Sequence, residues 1–334
     1  MPLALVTTVR NERRLLRDNL RYHHWLGVDR SFVFLDRSTD GTGESVRDLA
    51  GVTLAETSGA DAIPARHRDN PVVRAFLDKL DTHQTARQML NTLVATEWAL
   101  AAGCDWIVSL DPDELLCPSW TGLAAGDLGR QLGAVGRDVQ VVQFMPLEVL
   151  PSRAAAGATP FQGATRFKNR FALEGDRFRH AHRFPKRMHD PVQDQHWLST
   201  DYLGHVAGKA AARTGLDLLP GTVHTFLASD GSRPPRQRAG WLLHYCNVDF
   251  ESFLTRFRHR RGMPAHWTGG VAVDAAERLW QAMVNDGAFT ERELEEHFWR
   301  EIVPSEDDVA TWRRAAPASV VDVPAVANAF AAIG

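Results

Sequence analysis

The stretch "LALVTTVRNERRLLRDNLRYHHWLGVDRSFVFLD", residues 3–36, decides the fold. Residues 3–9 are apolar and rich in β-branched side chains, which is typical of a short buried strand. In residues 11–26 the apolar side chains recur at helical spacing, and Gly27 then ends that helix. Residues 31–35 are apolar again and predict a second strand. A strand, a helix and a strand in this order predict the first unit of a parallel sheet.

The same alternation continues through the first 150 residues. Further strands are predicted at 51–56, 105–110 and 138–149, and the periodicity of residues 72–102 predicts a helix that ends at Gly103. We therefore expect an α/β fold, with a Rossmann-like, mostly parallel sheet flanked by helices. Ligands of such sheets bind beyond the carboxyl ends of the strands. The polar loops that follow the first, second and fourth strands should consequently meet at one edge.

Composition places the chain among ordinary globular proteins. Of its 334 residues 44% are hydrophobic and 24% charged, and the formal net charge is −3. Three scattered cysteines, Cys104, Cys117 and Cys246, fit neither a disulfide framework nor a zinc site, which favours a reducing compartment. The N-terminus lacks the pattern of a signal peptide, and no apolar run reaches the roughly 18 residues that span a bilayer. A cytoplasmic protein with at most peripheral membrane contact is expected.

The charge is unevenly distributed along the chain. Residues 166–213 carry ten Lys or Arg against five Asp or Glu, whereas residues 286–308 carry nine acids and two Arg. A basic middle favours an anionic ligand such as a phosphate group. The alternative is that the basic segment pairs with the acidic C-terminal helix. Nucleic acid is not an expected partner, because no recognised binding motif accompanies the charge.

The most informative polar cluster lies in "DWIVSLDPDELLCP", residues 105–118. A predicted strand runs directly into Asp111, Asp113 and Glu114, whose carboxylates would repel one another unless a cation or protons neutralised them. Mg2+ and Mn2+ prefer such oxygen ligands and keep positions open for substrate phosphates. A metal site is the interpretation we favour, and a solvated acidic turn is the alternative.

Two more polar loops belong to the same predicted edge. "RNE" (10–12) follows the first strand, and "DRSTDGT" (36–42) follows the second. Asp36 is placed to accept a hydrogen bond from a nucleobase or a ribose. Residues 38–41 are typical of turns and helix N-caps, which is the simpler interpretation for most of them.

Several blocks of the chain resemble GT-A-fold glycosyltransferases of the family 2 and family 92 type. The blocks are "TTVRNERRLLRDNLRYHHWLGVDRSFVFLDRSTDGT", "HQTARQMLNTLVATEWALAAGCDWIVSLDPDELLCP", "GKAAARTG" with "GTVH", and "LLHYCNVDFESFLTRFR". Together they spread over about residues 5–260. The chain departs from the family pattern at Arg10 and at Arg256 or Arg258, each of which replaces a Lys, and at Leu115, which replaces a Phe. Residues 151–200 show no pattern that aligns.

The resemblance implies metal-assisted transfer of a sugar from a nucleotide diphosphate sugar to an acceptor nucleophile, with inversion favoured. Mn2+ or Mg2+ would bridge the diphosphate. By carry-over, Asp113 would ligate the cation, and Asp111 would lie near the ribose or a metal-bound water. A third ligand of these enzymes is frequently a downstream His, for which His224 and His244 are the candidates, with a buried structural role as the alternative for each.

The donor pocket follows from the same resemblance. Asp36 would contact the nucleobase, and Arg10, Asn11 and Glu12 would line the base and ribose pocket. Arg87, on the helix before the acidic strand, would reach a phosphate or form an ion pair instead.

The base that deprotonates the acceptor must lie within hydrogen-bond reach of it. Glu148 and Asp194 are the first candidates, and the remaining ones are Glu174, Asp176 and Asp190. An acceptor thiol would need little help from a base. A zinc site is not expected from the histidines between 180 and 205, because their spacing fits no structural zinc pattern: His180, His182, His189, His196 and His205.

The expected organisation is a GT-A-like nucleotide-sugar-binding and catalytic domain at 1–235, with an α-helical C-terminal extension at 236–334 that completes the acceptor side. Thr290 and Glu293 form a capping-box pattern at the start of one of its helices. The sequence leaves the donor nucleotide open among UDP, GDP and dTDP. The expected acceptor is a soluble small molecule, for instance a natural product, or a glycan. The alternatives are a non-catalytic nucleotide-sugar-binding protein and a D-x-D phosphohydrolase with Asp111 as nucleophile.

Overall fold

The computed structural model describes residues 1–152, 159–173, 184, 186–199, 207–262 and 275–334. The strands in these ranges are β1 (Leu3–Val9), β2 (Arg30–Leu35), β3 (Val52–Glu56), β4 (Trp106–Ser109), β5 (Glu114–Cys117), β6 (Val141–Val149), β7 (Arg166–Lys168), β8 (Lys186–Asp190), β9 (Gln195–Ser199), β10 (Lys209–Arg213), β11 (Leu218–Thr222), β12 (Thr225–Ala228), β13 (Arg236–His244) and β14 (Val320–Asp322). The α-helices are α1 (Leu16–Leu26), α2 (Pro71–Leu77), α3 (Gln84–Ala101), α4 (Asp127–Gly133), α5 (Pro160–Gly163), α6 (Phe250–His259), α7 (Ala275–Asn285), α8 (Glu291–His297), α9 (Glu306–Ala315) and α10 (Pro324–Ile333).

Ten of the strands form one sheet. Its order is β14-β7-β6-β10-β4-β1-β2-β3, and β13 pairs with both β5 and β6. Strands β4, β1, β2 and β3 run parallel, whereas β10 lies antiparallel between β4 and β6. The predicted fold class is confirmed: an α/β sheet flanked by helices and followed by an α-helical C-terminal part.

Both faces of the sheet are buried, because successive side chains of a strand point to opposite sides. Leu3 and Leu5 of β1 pack in one core cluster with α1 and α10, and Ala4 and Val6 pack in a second cluster with α2 and α3. A third cluster joins helices α6 to α9 with part of the β8–β9 hairpin. Gly27 ends α1 with φ at 107°, a conformation that glycine adopts without strain, as expected from the sequence.

Two details differ from the sequence prediction. The helix expected at 72–102 is two helices, because residues 78–82 form turns and His83 precedes α3 in an extended conformation. Asp78, Asp81 and Thr82 lie in this break, and such side chains hydrogen-bond the backbone in ways that compete with a helix. Strand β5 was not expected, because its few apolar residues follow the acidic cluster directly.

The C-terminal part is docked on the sheet. The capping box of Thr290 and Glu293 is present at the start of α8, and β14 and α10 place the last residues against β7 and α5. Strands β13 and β14 join the large sheet, so the division at residue 235 stays a prediction. None of the helices in the described ranges combines the length and apolar character that crossing a membrane requires.

Part of the basic segment pairs with the acidic C-terminal part, as the alternative interpretation of its charge expected. Arg166 lies 2.9 Å from Glu306, and Lys186 lies 3.4 Å from Asp308.

Candidate active site

The loops after β1 and β2 are joined by hydrogen bonds at the carboxyl edge of the sheet. The backbone N–H of Asn11 donates to the Ser38 hydroxyl at 3.1 Å. The backbone N–H of Thr39 donates to the side-chain carbonyl of Asn11 at 2.7 Å. The Glu12 amide donates to the Thr42 hydroxyl at 2.9 Å. These bonds fix the position of the "RNE" loop against residues 38–42.

Residues 111–114 form the acidic loop after β4, and α1 holds this loop by hydrogen bonds. Asn19 is buried, and its side-chain amide donates to the backbone carbonyls of Pro112 at 3.0 Å and Glu114 at 2.7 Å. Glu114 folds back so that its carboxylate accepts the Asp111 amide at 2.8 Å. The backbone of the loop and the Glu114 side chain are consequently held in place.

Lys209 supplies a buried positive charge to this loop. The antiparallel register pairs Ala211 with Val108, and two residues further it brings Lys209 to the end of β4, next to Asp111. The Lys209 ammonium lies 2.9 Å from Asp111 Oδ2 and 3.4 Å from Glu114 Oε2, and Lys209 is 1% exposed. Gly208 permits the close approach of the strands, because a Cβ there would lie 1.7 Å from the Phe144 carbonyl oxygen.

His244 connects the acidic loop to a second buried carboxylate. The register of β13 places His244 opposite Glu114 of β5 and opposite Glu148 of β6. Its Nδ1 lies 2.8 and 3.0 Å from the two Glu148 oxygens, and its Nε2 lies 3.5 Å from Asp113 Oδ2. The imidazole thus sits between two carboxylates, at the point where three strands meet.

The charges of this cluster shift its pKa values strongly. Burial alone would lower the pKa of His244, but Glu148 and Asp113 raise it well above 6.5. Burial alone would raise the pKa of Asp113, but His244 and then Arg256 hold it well below its usual value. In the absence of a bound cation, His244 is therefore an imidazolium between two carboxylates.

Two glutamates of the site have raised pKa values, in contrast to Asp113. Burial, followed by the charges of Asp113 and Asp111, raises the pKa of Glu12 to about 8. Burial likewise raises the pKa of Glu114 to about 8, although Lys209 opposes this. Both side chains are mostly protonated at neutral pH, so the negative charge of the cluster resides on the remaining carboxylates.

His224 lies in the turn between β11 and β12. Its Nδ1 is 3.0 Å from the Gly208 carbonyl oxygen, which it accordingly approaches as a donor. Burial would raise the pKa of Asp111, but Lys209 lowers it and His224 contributes to the lowering. His244 therefore lies beside Asp113, whereas the contact of His224 is with the Gly208 carbonyl and only its charge acts on Asp111.

Asp36 and Arg87 are paired with each other, which differs from the role predicted for Asp36 and is one of the two roles considered for Arg87. Arg87 Nε and Nη2 donate to the two Asp36 oxygens, each at 2.9 Å, and Nη1 donates to the Leu80 carbonyl. Asp36 is 1% exposed. A buried carboxylate with both oxygens occupied does not present itself to a nucleobase, and a guanidinium committed in this way does not reach for a phosphate. Of the two roles considered for Arg87, the structure shows the ion pair.

The two predicted bases occupy different places. Glu148 is 3% exposed and accepts from His244 with both oxygens, so it is not free to take a proton from an acceptor. Asp194 lies in the turn between β8 and β9, where its side chain is 96% exposed and pairs with His189 at 3.1 Å. The structure therefore brings Glu148, but not Asp194, into the cluster of Asp113 and His244.

The remaining candidate bases and the histidines of the same segment lie partly on the β8–β9 hairpin. Asp190 accepts the Val192 and Gln193 amides, which is the geometry of a turn. Of the five histidines between 180 and 205, His189 and His196 lie on the β8–β9 hairpin. The other candidates of this segment lie outside the described residues: Glu174, Asp176, His180, His182 and His205.

Sequence reasoning gave no role to three residues that shape the site. Gln88 donates to Asp111 Oδ1 at 2.7 Å, next to the bond from Lys209. Arg256 on α6 lies 3.7 Å from Asp113 Oδ2. The sequence does contain a signal for Lys209, which directly precedes the apolar run "AAA". A lysine in such a position, if buried, is expected to pair with an acidic side chain.

The residues present can be tested against the predicted metal. Within the described ranges, no three His, Cys, Asp or Glu side chains are grouped so as to hold an ion by themselves. Asp113 and His244 do face each other, and Glu148 accepts from the opposite ring nitrogen. A metal-ligating His usually donates its second N–H to a carboxylate in this way. Asp113 and His244 therefore fit as a two-residue holder that leaves the other positions to substrate phosphates.

Comparison with known proteins gives one sequence relative. No family model matches the chain. Over 156 residues it is 28% identical to a glycosyltransferase-like protein of Arabidopsis thaliana, a match that covers 45% of this chain and 30% of that protein.

Solved structures show low overall similarity. Glucosyl-3-phosphoglycerate synthase from Mycobacterium tuberculosis, in complex with phosphoglyceric acid, is 14% identical, with a TM-score of 0.31 and coverage of 78% of this chain and 80% of that one. CMP:2-keto-3-deoxy-manno-octonic acid synthetase with CTP is 12% identical, with a TM-score of 0.26 and coverage of 64% and 75%. In two further matches, the chain covers 57% of the length of a mycobacterial protein and 55% of the length of a second structure of the glucosyl-3-phosphoglycerate synthase. The chain is thus similar in sequence to a glycosyltransferase-like protein, in agreement with the resemblance of its motifs.

Proposed function

We propose that this chain is a glycosyltransferase that moves a sugar from a nucleotide diphosphate sugar to an acceptor nucleophile with the help of a divalent cation. The observation that carries the proposal is the meeting of Asp113 and His244 at the carboxyl edge of the parallel strands, 3.5 Å apart, with Glu148 behind the imidazole. This edge is where α/β sheets bind their ligands. The similarity to a glycosyltransferase-like protein supports the same reaction class.

Asp113 and His244 are the residues that would hold the cation. When bound, a divalent ion neutralises the diphosphate and stabilises the charge that develops on the leaving group. A ligand set of one carboxylate and one imidazole favours Mn2+ over Mg2+, because Mg2+ prefers oxygen ligands. Glu148 orients the imidazole, which replaces its predicted role as a base.

Asp111 has a different task from Asp113. Its oxygens accept from Gln88 and Lys209, and its side chain is 30% exposed. Lys209 offsets the charge of Asp111, so an anionic donor meets less repulsion at the acidic loop. The same bonds argue against the phosphohydrolase alternative, in which Asp111 would have to be free as a nucleophile.

The "RNE" loop supports the donor side of the site. Asn11 and Glu12 are held by the turn at 38–42, and Glu12 lies close enough to Asp111 and Asp113 for their charges to raise its pKa. We propose that Arg10, Asn11 and Glu12 line the donor pocket, as the resemblance implies. Inversion of configuration and a soluble small-molecule or glycan acceptor also rest on the resemblance. Asp194 stays a predicted base.

The test is release of nucleoside diphosphate from UDP-, GDP- and dTDP-sugars, with a panel of hydroxyl and thiol acceptors and with or without Mn2+. We expect turnover of one donor class that needs the ion and falls at least about 100-fold in Asp113→Asn. Asp105→Asn is the matched control, because Asp105 is exposed and directly precedes β4, at the end of this strand that lies away from the acidic loop. Turnover that survives in Asp113→Asn would contradict the proposal. Binding of a nucleotide sugar without any turnover would support the non-catalytic alternative.

A further inference from the structure

Arg256 reaches the acidic loop from the C-terminal helices. It lies in the last turn of α6, and its Nη1 is 3.7 Å from Asp113 Oδ2. That distance is too long for a hydrogen bond, so the two side chains attract each other by charge without using up the donors of the guanidinium. Its side chain is 23% exposed, so a part of it is accessible from solvent.

The guanidinium is held in place from the side opposite Asp113. Arg256 Nη2 lies 3.4 Å from Glu277 Oε1 on α7, and Arg260 Nη1 lies 3.1 Å from the same oxygen. Two arginines therefore lie against the same carboxylate of α7. Arg256 Nε is buried and has no hydrogen-bond partner within the described part of the chain.

The packing of α6 on α7 makes this position rigid. The Phe257 and Trp280 rings meet edge to face, with their centroids 5.8 Å apart. The Asn285 side chain donates to the Phe257 carbonyl at 2.9 Å, and the Gln281 side chain donates to the Arg260 carbonyl at 2.9 Å. A guanidinium on a rigid support is pre-organised to receive an anion.

We propose that Arg256 binds the diphosphate of the donor and is a catalytic residue supplied by the C-terminal helices. The inference rests on the proposed function, because the diphosphate of a nucleotide sugar held at Asp113 and His244 would come close to this guanidinium, which lies 3.7 Å from Asp113 Oδ2. The planar fork of Arg matches phosphate oxygens with two parallel N–H donors. The helical C-terminal part would then complete the donor side of the site, in addition to the acceptor side expected from the sequence.

The chemistry gives Arg256 a role that grows during the reaction. The acceptor nucleophile forms a bond to the anomeric carbon while the bond from that carbon to the β-phosphate oxygen breaks. The electron pair of the broken bond stays on that oxygen, and the acceptor proton passes to a carboxylate or to water. Donors aimed at the oxygen that gains charge stabilise the transition state more than the ground state.

Calorimetric titration of a nucleoside diphosphate and the matching monophosphate tests the inference, with the nucleotide that the wild-type protein binds. Arg256→Gln should weaken diphosphate binding by about 10- to 100-fold, the usual range for a hydrogen bond to a charged group. Monophosphate binding should change by less than about threefold, and Arg256→Lys should lie between the wild type and Arg256→Gln. Arg258→Gln is the matched control, because Arg258 is 57% exposed on the same helix and pairs with Glu291.

The contrary outcomes are separable. Equal loss of diphosphate and monophosphate binding in Arg256→Gln would mean that Arg256 only supports the fold, and unchanged diphosphate binding would also overturn the inference. In both cases the wild type still binds the diphosphate through Asp113, so the proposed function stands. Failure of the wild type to bind any nucleoside diphosphate would overturn both. Should Arg256→Gln fail to fold, the same comparison is decided with Arg256→Lys and Glu277→Gln.

Discussion

Replacement of Lys209 by Met tests how the acidic loop is neutralised. The substitution keeps a long unbranched side chain in a site that is 1% exposed, so little cavity is created. It removes the charge that lies 2.9 Å from Asp111 and 3.4 Å from Glu114. Because the pKa of Glu114 is raised to about 8, the charge that loses its partner at pH 7 is that of Asp111.

The magnitude follows from this geometry. Removing one partner of a buried ion pair costs about 3–5 kcal/mol. Asp111 is 30% exposed, so water compensates part of the loss and the lower end, about 3 kcal/mol, is expected for Lys209→Met. In the double variant Lys209→Met/Asp111→Asn the unpaired charge is gone, and we expect about 2 kcal/mol of the loss to be recovered.

Urea unfolding of the wild type, both single variants and the double variant gives the coupling energy directly. A loss below about 1 kcal/mol in Lys209→Met, or a double variant no more stable than Lys209→Met alone, would refute the assignment of Lys209 as the buried counter-charge. Asp111→Asn provides the internal control, because it removes the negative charge but leaves the lysine.

Three further outcomes are expected. Arg87→Met should lower the free energy of unfolding by about 3–5 kcal/mol in urea unfolding, because it breaks the buried two-bond pair with Asp36; stability unchanged with nucleotide affinity lost would restore the base-binding role of Asp36. Burial lowers the pKa of His23 to about 3, so the unfolded chain gains its proton first as the pH falls. The stability that His23 contributes is present above pH 6.5 and is lost towards pH 3, by about 2 kcal/mol at pH 5. In urea unfolding, the change in the free energy of unfolding from pH 7 to pH 5 should be about 2 kcal/mol less favourable in the wild type than in His23→Gln, because groups with raised pKa values, such as Glu12 and Glu114, contribute to both proteins alike. Equal pH slopes in the two proteins would contradict it. Glu148→Gln should weaken Mn2+ binding about 10- to 100-fold in calorimetry, as loss of a carboxylate behind a ligating His does elsewhere; Asp194→Asn should leave it unchanged, and an equal effect of both would contradict the positioning role.

The parts of the site that could be predicted are those that depend on short, contiguous stretches of the sequence. The strand that precedes Asp111 and the loops after Val9 and Leu35 follow from short apolar runs and their polar ends. Since parallel strands deliver their carboxyl ends to one edge, the meeting of these loops was predictable too. The choice of His224 and His244 as candidate ligands comes from the resemblance, not from periodicity.

The partners of the charged side chains could not be predicted, because they depend on contacts between distant segments. Asp36 looked like a free acceptor, but Arg87 lies 51 residues away and takes both of its oxygens. Lys209 reaches Asp111 across 98 residues, since β10 inserts antiparallel between β4 and β6. Glu148 looked like a free base at a strand end, whereas the register of β13 on β6 sets it against His244. Crowded carboxylates predict that neutralisation is needed, but they do not say which cation provides it.

The most direct test of the central claim is titration of UDP, GDP and dTDP into the protein, with and without Mn2+ or Mg2+, repeated on Asp113→Asn and on Asp105→Asn. The account predicts that one nucleotide binds tightly only with the metal, that Asp113→Asn abolishes this binding, and that Asp105→Asn leaves it intact. Binding that is indifferent to both the metal and Asp113 would contradict the account and leave the acidic loop neutralised by Lys209, His244 and Arg256 alone.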